Sequence, residues 1–149
     1  MEWYSSVSEK ETIREAFEEC VSNIHNGADD KVNLVLAFVG SDFAHSYSVL
    51  PNIVADEFPN ATFIGCSGNG VIGNGKEIEH RPGFSLSAAI LPDVAIQSFH
   101  VKDVDLPDGD DSPHKWEELI GIKATEKPNF IILADPFSMR GQNLVTGLD

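Results

Sequence analysis

The sequence predicts an α/β fold: a mixed, mainly parallel sheet with flanking helices and an antiparallel hairpin portion. Three observations lead there. Apolar runs at residues 32–39, 61–66 and 129–134 are nearly continuous, as in strands covered on both faces. Between and before them, apolar residues recur at helical spacing, as in Ile13, Phe17, Cys20, Val21 and Ile24. Beyond the second run, residues 83–91 and 94–101 are strand-like and joined only by Pro92 and Asp93, a link short enough for antiparallel neighbours alone. At 149 residues and 42% hydrophobic content, the chain has the length of one domain and enough apolar surface for a core without metal or disulfide staples.

Taken in order, Ser8 followed by Glu11 has the spacing of a capping box and predicts a helix from about Glu9, closed by Asn26 and Gly27. Val32 to Val39 is the first buried strand, bounded by Gly40, and Ser41 and Asp42 follow at once. From Ala44 to Phe58 the pattern is helical, with Val49, Ile53, Val54 and Phe58 inward and Pro51 acceptable only near a first turn or a kink. Pro59 and Asn60 end that helix, and Ala61 to Cys66 is the second strand. Strand, helix and strand then make a parallel crossover unit of about 35 residues. The acidic stretch from Asp103 to Pro113 is a loop without calcium-loop spacing. Ser112 and Pro113 open a short helix carrying Trp116, Leu119 and Ile120, which Gly121 ends. Asn129 to Ala134 is a further buried strand, and Leu144, Val145 and Leu148 begin a last helix.

The segment from Thr62 to Gly75, TFIGCSGNGVIGNG, is the densest in glycine. Gly68, Gly70 and Gly73 spell G-x-G-x-x-G after a strand, which raises dinucleotide binding. That motif must open a helix whose N-terminus holds the pyrophosphate, and Asn74-Gly75 followed by Arg81-Pro82-Gly83 breaks the chain first. Asn69-Gly70 and Asn74-Gly75 are instead hairpin-turn dipeptides.

The wording of this segment, GCSGNGVIG followed by Glu77-Ile78-Glu79 and by the run from Phe84 to Leu91, resembles the N-terminal domain of the FIST family. Ala134-Asp135-Pro136-Phe137-Ser138 is a second match, and the resemblance covers about Lys31 to Asp149. It implies a ligand-binding sensory module of signal-transduction proteins, with amino acids or similar metabolites as ligands and haem in some members. On this basis residues 1–30 form an N-terminal helical segment and residues 31–149 a partial FIST N-terminal domain. The resemblance also implies at least one more strand and a FIST C-terminal domain as partner in the full-length protein. Ending the domain early would leave an open sheet edge and an uncovered helix face that favour self-association.

A formal net charge of −14 argues against nucleic acid or an anionic membrane as partner, because both are bound through an excess of Lys and Arg. No segment reaches the roughly 20 apolar residues of a membrane span, and the N-terminus lacks a basic region followed by an apolar run, so the expected location is cytoplasmic. Cys20 and Cys66 are too few and too distant for a Cys-x-x-Cys motif and are read as free thiols.

The three buried runs end in small polar or acidic residues, and in open α/β sheets ligands sit beyond the strands' carboxyl ends. The candidate ligand-binding residues are Ser41, Asp42, Cys66, Ser67, Gly68, Asn69, Gly70, Asp135 and Ser138, with no catalytic and no metal-ligating residue assigned. Asp42 and Asp135 also suit caps of following helices, and the serines suit turn backbone, the ordinary use of such residues. Cys66 is a candidate nucleophile only with a base beside it, and His45, His80, His100 and His114 are scattered. No cofactor is expected; haem, with His80 or His100 as axial ligand, is the alternative. Arg81 is either a partner for an anionic ligand or an exposed loop residue. Recognition of a small polar metabolite is the function favoured, with thiol-dependent catalysis by Cys66 and haem-based gas sensing as contrasting classes.

Overall fold

The structure, a computed structural model, describes residues 1–24, 31–135, 137 and 141–148, without the side chains of 141–143. It divides into two compact units, Met1–Ile96 and Gln97–Asp149.

The first unit is built on a four-stranded sheet in the order β1-β6-β2-β3. The outer strand β1, Glu2–Ser8, pairs antiparallel with β6, Phe84–Ile90, from Glu2 opposite Ile90 to Ser8 opposite Phe84. On its other side β6 pairs antiparallel with β2, Leu34–Gly40, and β2 pairs parallel with β3, Thr62–Gly68. The α/β class, mixed sheet and flanking helices agree with the sequence reading; parallel pairing is one interface of three, a smaller share than expected.

Two expected strands are corrected. Residues 94–101 form no strand, because β6 lies between β1 and β2 and has no open edge to offer them. Residues 129–134 form none either, and Ile131, Ile132 and Leu133 are 55%, 38% and 38% exposed. Among the described residues of Gln97–Asp149 there is no strand to supply a ladder, and β propensity without a paired neighbour does not make one.

Strand alternation sorts the residues between the two faces. Val35, Ala37 and Val39 of β2 share a face with Phe84, Leu86 and Ala88 of β6, their cross-strand partners, and all six are buried. Helix α1, Ile13–Ile24, lays Ile13, Ala16, Phe17, Cys20, Val21 and Ile24 into the same core, with Phe17 edge-on to Phe84 at 6.4 Å. Its start is corrected by four residues. Ser8 ends β1 and its hydroxyl donates to Glu19, while Thr12 makes the capping arrangement: its Oγ1 accepts the Glu15 N–H at 3.3 Å and donates to the Glu15 carboxylate at 2.7 Å. The expected closure at Asn26 and Gly27 lies outside the described residues.

The β2-to-β3 crossover divides into a 3-10 segment, Ser41–Val49, and helix α2, Leu50–Glu57. Pro51 occupies the first turn of α2, where its missing N–H costs no bond, and this sets where the α-helix begins. Leu50, Ile53, Val54, Phe43 and Phe58 complete the core.

After β3 the glycine-rich chain turns into a separate hairpin, β4, Gly70–Gly73, and β5, Lys76–Glu79. Asn74 and Gly75 both have positive φ, 47° and 73°, as a two-residue type I′ turn requires. No helix follows the G-x-G-x-x-G spacing, so the dinucleotide reading falls. The hairpin buries Val71 and Ile78, and Glu9 pairs with both Lys76 and Arg81, the latter at 2.8 Å.

In the second unit α3, Pro113–Ile120, follows Ser112 in extended conformation and ends at a left-handed Gly121, as expected. Trp116 and Leu106 are buried together with Leu144 of α4, Gly141–Leu148.

Candidate functional site

The parallel register sets Gly40 opposite Gly68, so the carboxyl ends of β2 and β3 lie level. Ser41 and Asp42 leave one strand end, both exposed, and Asn69 leaves the other. The ladder runs two residues past the expected end at Cys66: Cys66, Ser67 and Gly68 pair with Phe38, Val39 and Gly40. Ser41, Asp42, Cys66, Ser67, Gly68, Asn69 and Gly70 are thereby gathered at one end of the sheet. Asp135 belongs to the second unit, where its Oδ1 accepts the Phe137 N–H at 2.9 Å, a local turn contact rather than the helix cap weighed for it. Ser138 lies outside the described residues.

The glycines have local reasons. A Cβ on Gly68 would stand 2.9 Å from the Gly70 carbonyl oxygen, and one on Gly70 would stand 3.0 Å from Glu79 Cγ. The backbone doubles back too closely for side chains, and Gly70 is spent on the hairpin, paired with Glu79.

Beside these strand ends runs a groove of about 200 Å³, lined by Ala37 and Val39 of β2, Phe63, Gly65, Cys66 and Ser67 of β3, and Tyr47, Leu50 and Pro51 of the crossover. Its floor is shallow in side chains because Ala37 and Gly65 are register partners. Tyr47 Oη donates to the Gly40 carbonyl at 3.0 Å, tying the crossover to the end of β2. Tyr47, Leu50, Pro51 and Phe63 are absent from the sequence-derived candidates. The strand parity of residues 63, 65 and 67 carries part of the signal, but the phase of a 3-10 segment does not follow helical spacing.

Cys66 is exposed at the rim of this groove, and partial desolvation pushes its thiol above the usual range. A raised thiol is the opposite of what an activated nucleophile needs, and among the described residues no histidine lines the groove. That lining also offers no axial nitrogen to a haem iron, and the His80 side chain is 94% exposed beside Glu79. Arg81 is held by Glu9. Among the described residues no group of three or more His, Cys, Asp or Glu side chains forms a metal site, and no helix is long and apolar enough to cross a membrane.

Neither the curated proteins nor the solved structures contain a match to this chain. The family model for the FIST N domain matches residues 33–149, a stretch that takes in β2 to β6, the strand-end loops and the groove. That family is one of sensory domains in signalling, and the match extends over more than half of the sequence. The chain therefore belongs to the FIST N domain family.

Proposed function

We propose that this domain recognises a small polar metabolite, with amino acids the first class to test, and does so without chemistry. The observation that carries the reading is the level pairing of Gly40 with Gly68, which brings the Ser41–Asp42 and Ser67–Asn69 backbones side by side at the carboxyl end of the parallel pair. Successive main-chain N–H groups at such a place bind a carboxylate without basic side chains, and from Val32 to Gly75 the sequence has no Lys or Arg. The Ser41, Ser67 and Asn69 side chains add neutral hydrogen-bonding groups, and Asp42 adds a carboxylate for a ligand's ammonium. Cys66 contributes to the rim rather than to catalysis.

Calorimetric titration of the folded protein with the common amino acids and small dicarboxylates tests this. Saturable binding of an amino acid, weakened at least tenfold by Asp42→Asn or Asn69→Ala with the fold intact, is the expected result. Turnover of a thioester, amide or ester panel that Cys66→Ala abolishes would replace recognition by catalysis.

A further inference from the structure

The open side of β3 carries an inference that goes beyond metabolite recognition and does not rest on it. Among the described residues β3 is the last strand of its sheet. The direction of its backbone groups follows from two hydrogen bonds. Gly40 N–H donates to Gly83 O at 2.7 Å, so the even residues of β2 face β6 and Val35, Ala37 and Val39 face β3. Thr62 N–H donates to Asn33 O at 2.9 Å, so Thr62, Ile64, Cys66 and Gly68 face β2. Alternation then turns the N–H and C=O groups of Phe63, Gly65 and Ser67 outward, away from the sheet.

Those same three residues line the groove. An outward backbone repeat of two residues, roughly 6.6 Å, beside an apolar recess is what an extended peptide matches: main-chain bonds to the edge, and an alternate side chain into the recess. The edge also lacks the usual protections. Thr62–Gly68 contains no charge and no Pro, and its seven-residue register with β2 is free of bulges.

Charge selects among occupants. Between Val32 and Gly75 the charged residues are Asp42, Asp56 and Glu57, with no Lys or Arg, and the whole chain is at −14. A second copy would bring like charge against like charge, whereas a basic peptide is attracted. We propose that the β3 edge binds an extended, lysine- or arginine-bearing segment of a partner protein by strand addition, with one aliphatic or aromatic side chain seated against Leu50, Pro51 and Phe63.

The test is an amide-resolved NMR titration of the full chain with a capped peptide, Lys-Thr-Val-Leu-Val-Thr-Lys. Three comparison peptides accompany it: one N-methylated at alternate residues on the pairing side, one with Glu in place of both Lys, and one with Gly in place of Leu. The Phe63, Gly65 and Ser67 amide signals should shift and gain protection from exchange, and binding should weaken at least tenfold with each comparison peptide. Ser67→Pro, which removes an outward N–H and no ladder bond, should do the same; if that variant fails to fold, the N-methylated peptide decides. The proposal is overturned by Gly65 and Ser67 amides already protected in the free protein, by shifts that follow protein concentration alone, by equal binding of the N-methylated peptide, or by no response at millimolar peptide. Free amino acids run in parallel keep the two readings apart, since their binding leaves the exchange of Phe63 and Gly65 unchanged.

Discussion

The carboxamide of Asn33 closes a two-bond ring with the backbone of Leu91: Asn33 Nδ2 donates to the Leu91 carbonyl at 2.8 Å, and the Leu91 N–H donates to Asn33 Oδ1 at 2.9 Å. A side chain thus stands in for a strand partner where β6 runs out, and Leu91 is buried beside Leu34 and Ala89. Asn33→Ala leaves a donor and an acceptor without partners and should cost about 1–3 kcal/mol. Asn33→Asp keeps the acceptor but sets a carboxylate oxygen against the Leu91 carbonyl, so it should not rescue. Urea unfolding of both variants checks this, and a loss below about 0.5 kcal/mol for Asn33→Ala would mean that water replaces the ring at little cost.

Two glycines should fail for different reasons. A Cβ on Gly83 would lie 2.8 Å from Val71 Cγ2 and 2.9 Å from Ile78 Cγ2, so Gly83→Ala should overpack the seat of the hairpin at about 1–3 kcal/mol. Gly75 has nothing within 4 Å but sits at φ 73°, so Gly75→Ala should cost only its backbone strain, about 1–2 kcal/mol, and Gly75→Asn much less. Trimming Val71 to Ala should partly rescue Gly83→Ala and leave Gly75→Ala untouched. Equal behaviour of the two in that double-mutant comparison would show that sterics at the hairpin seat are not the cause.

These positions also show how far the sequence could be read. Helix α1 was legible because its buried residues are apolar at helical spacing, and the hairpin because Asn74-Gly75 names its own turn. Strand β1 was not, because two of its inward residues are serines: Ser6 accepts from Asn23 Nδ2 at 3.1 Å and Ser8 donates to Glu19, while Trp3 points outward, 50% exposed. Only tertiary partners make that inverted pattern stable. Residues 94–101 failed in the opposite sense, with strand composition but without the neighbour expected for them, since β6 is already paired on both sides by β1 and β2. At the sheet end, the common placement of the polar residues that follow β2 and β3 was legible from the strand pattern, while the groove walls depend on where the 3-10 segment places Tyr47 and how it leads into Leu50.

Cys20 should make stability fall at alkaline pH. Burial pushes its thiol from 9.0 up to about 11, with Glu19 adding to the effect and a hydrogen bond with Ser6 opposing it. Between those values the folded protein keeps a proton that the unfolded chain has released, so the unfolded state gains relative stability as pH rises from about 9 toward 11. Below that window the thiol is protonated in both states and contributes no slope. Cys20→Ala should flatten the curve in that window despite the cavity it leaves. Cys66, exposed but also raised, should alkylate slowly at neutral pH in the native state, and Cys20 only on unfolding. Native-state labelling of both thiols at one rate would contradict this assignment.

Tyr47→Phe separates the groove's shape from its anchoring. The ring forms part of the groove wall, and the phenol oxygen reaches the Gly40 carbonyl at 3.0 Å, on the residue whose N–H is already committed to Gly83. Removing only the hydroxyl keeps the wall but frees the crossover from the end of β2, at about 0.5–1.5 kcal/mol of stability. Because Gly40 leads directly into Ser41 and Asp42, the loosened joint should weaken binding at the strand ends several-fold, while contacts made along Phe63, Gly65 and Ser67 stay nearly unchanged. Calorimetry with the metabolite and NMR titration with the peptide read the two effects on one variant. If both affinities fall together, Tyr47 acts through the groove itself; if neither does, the hydrogen bond to Gly40 positions nothing that either ligand uses.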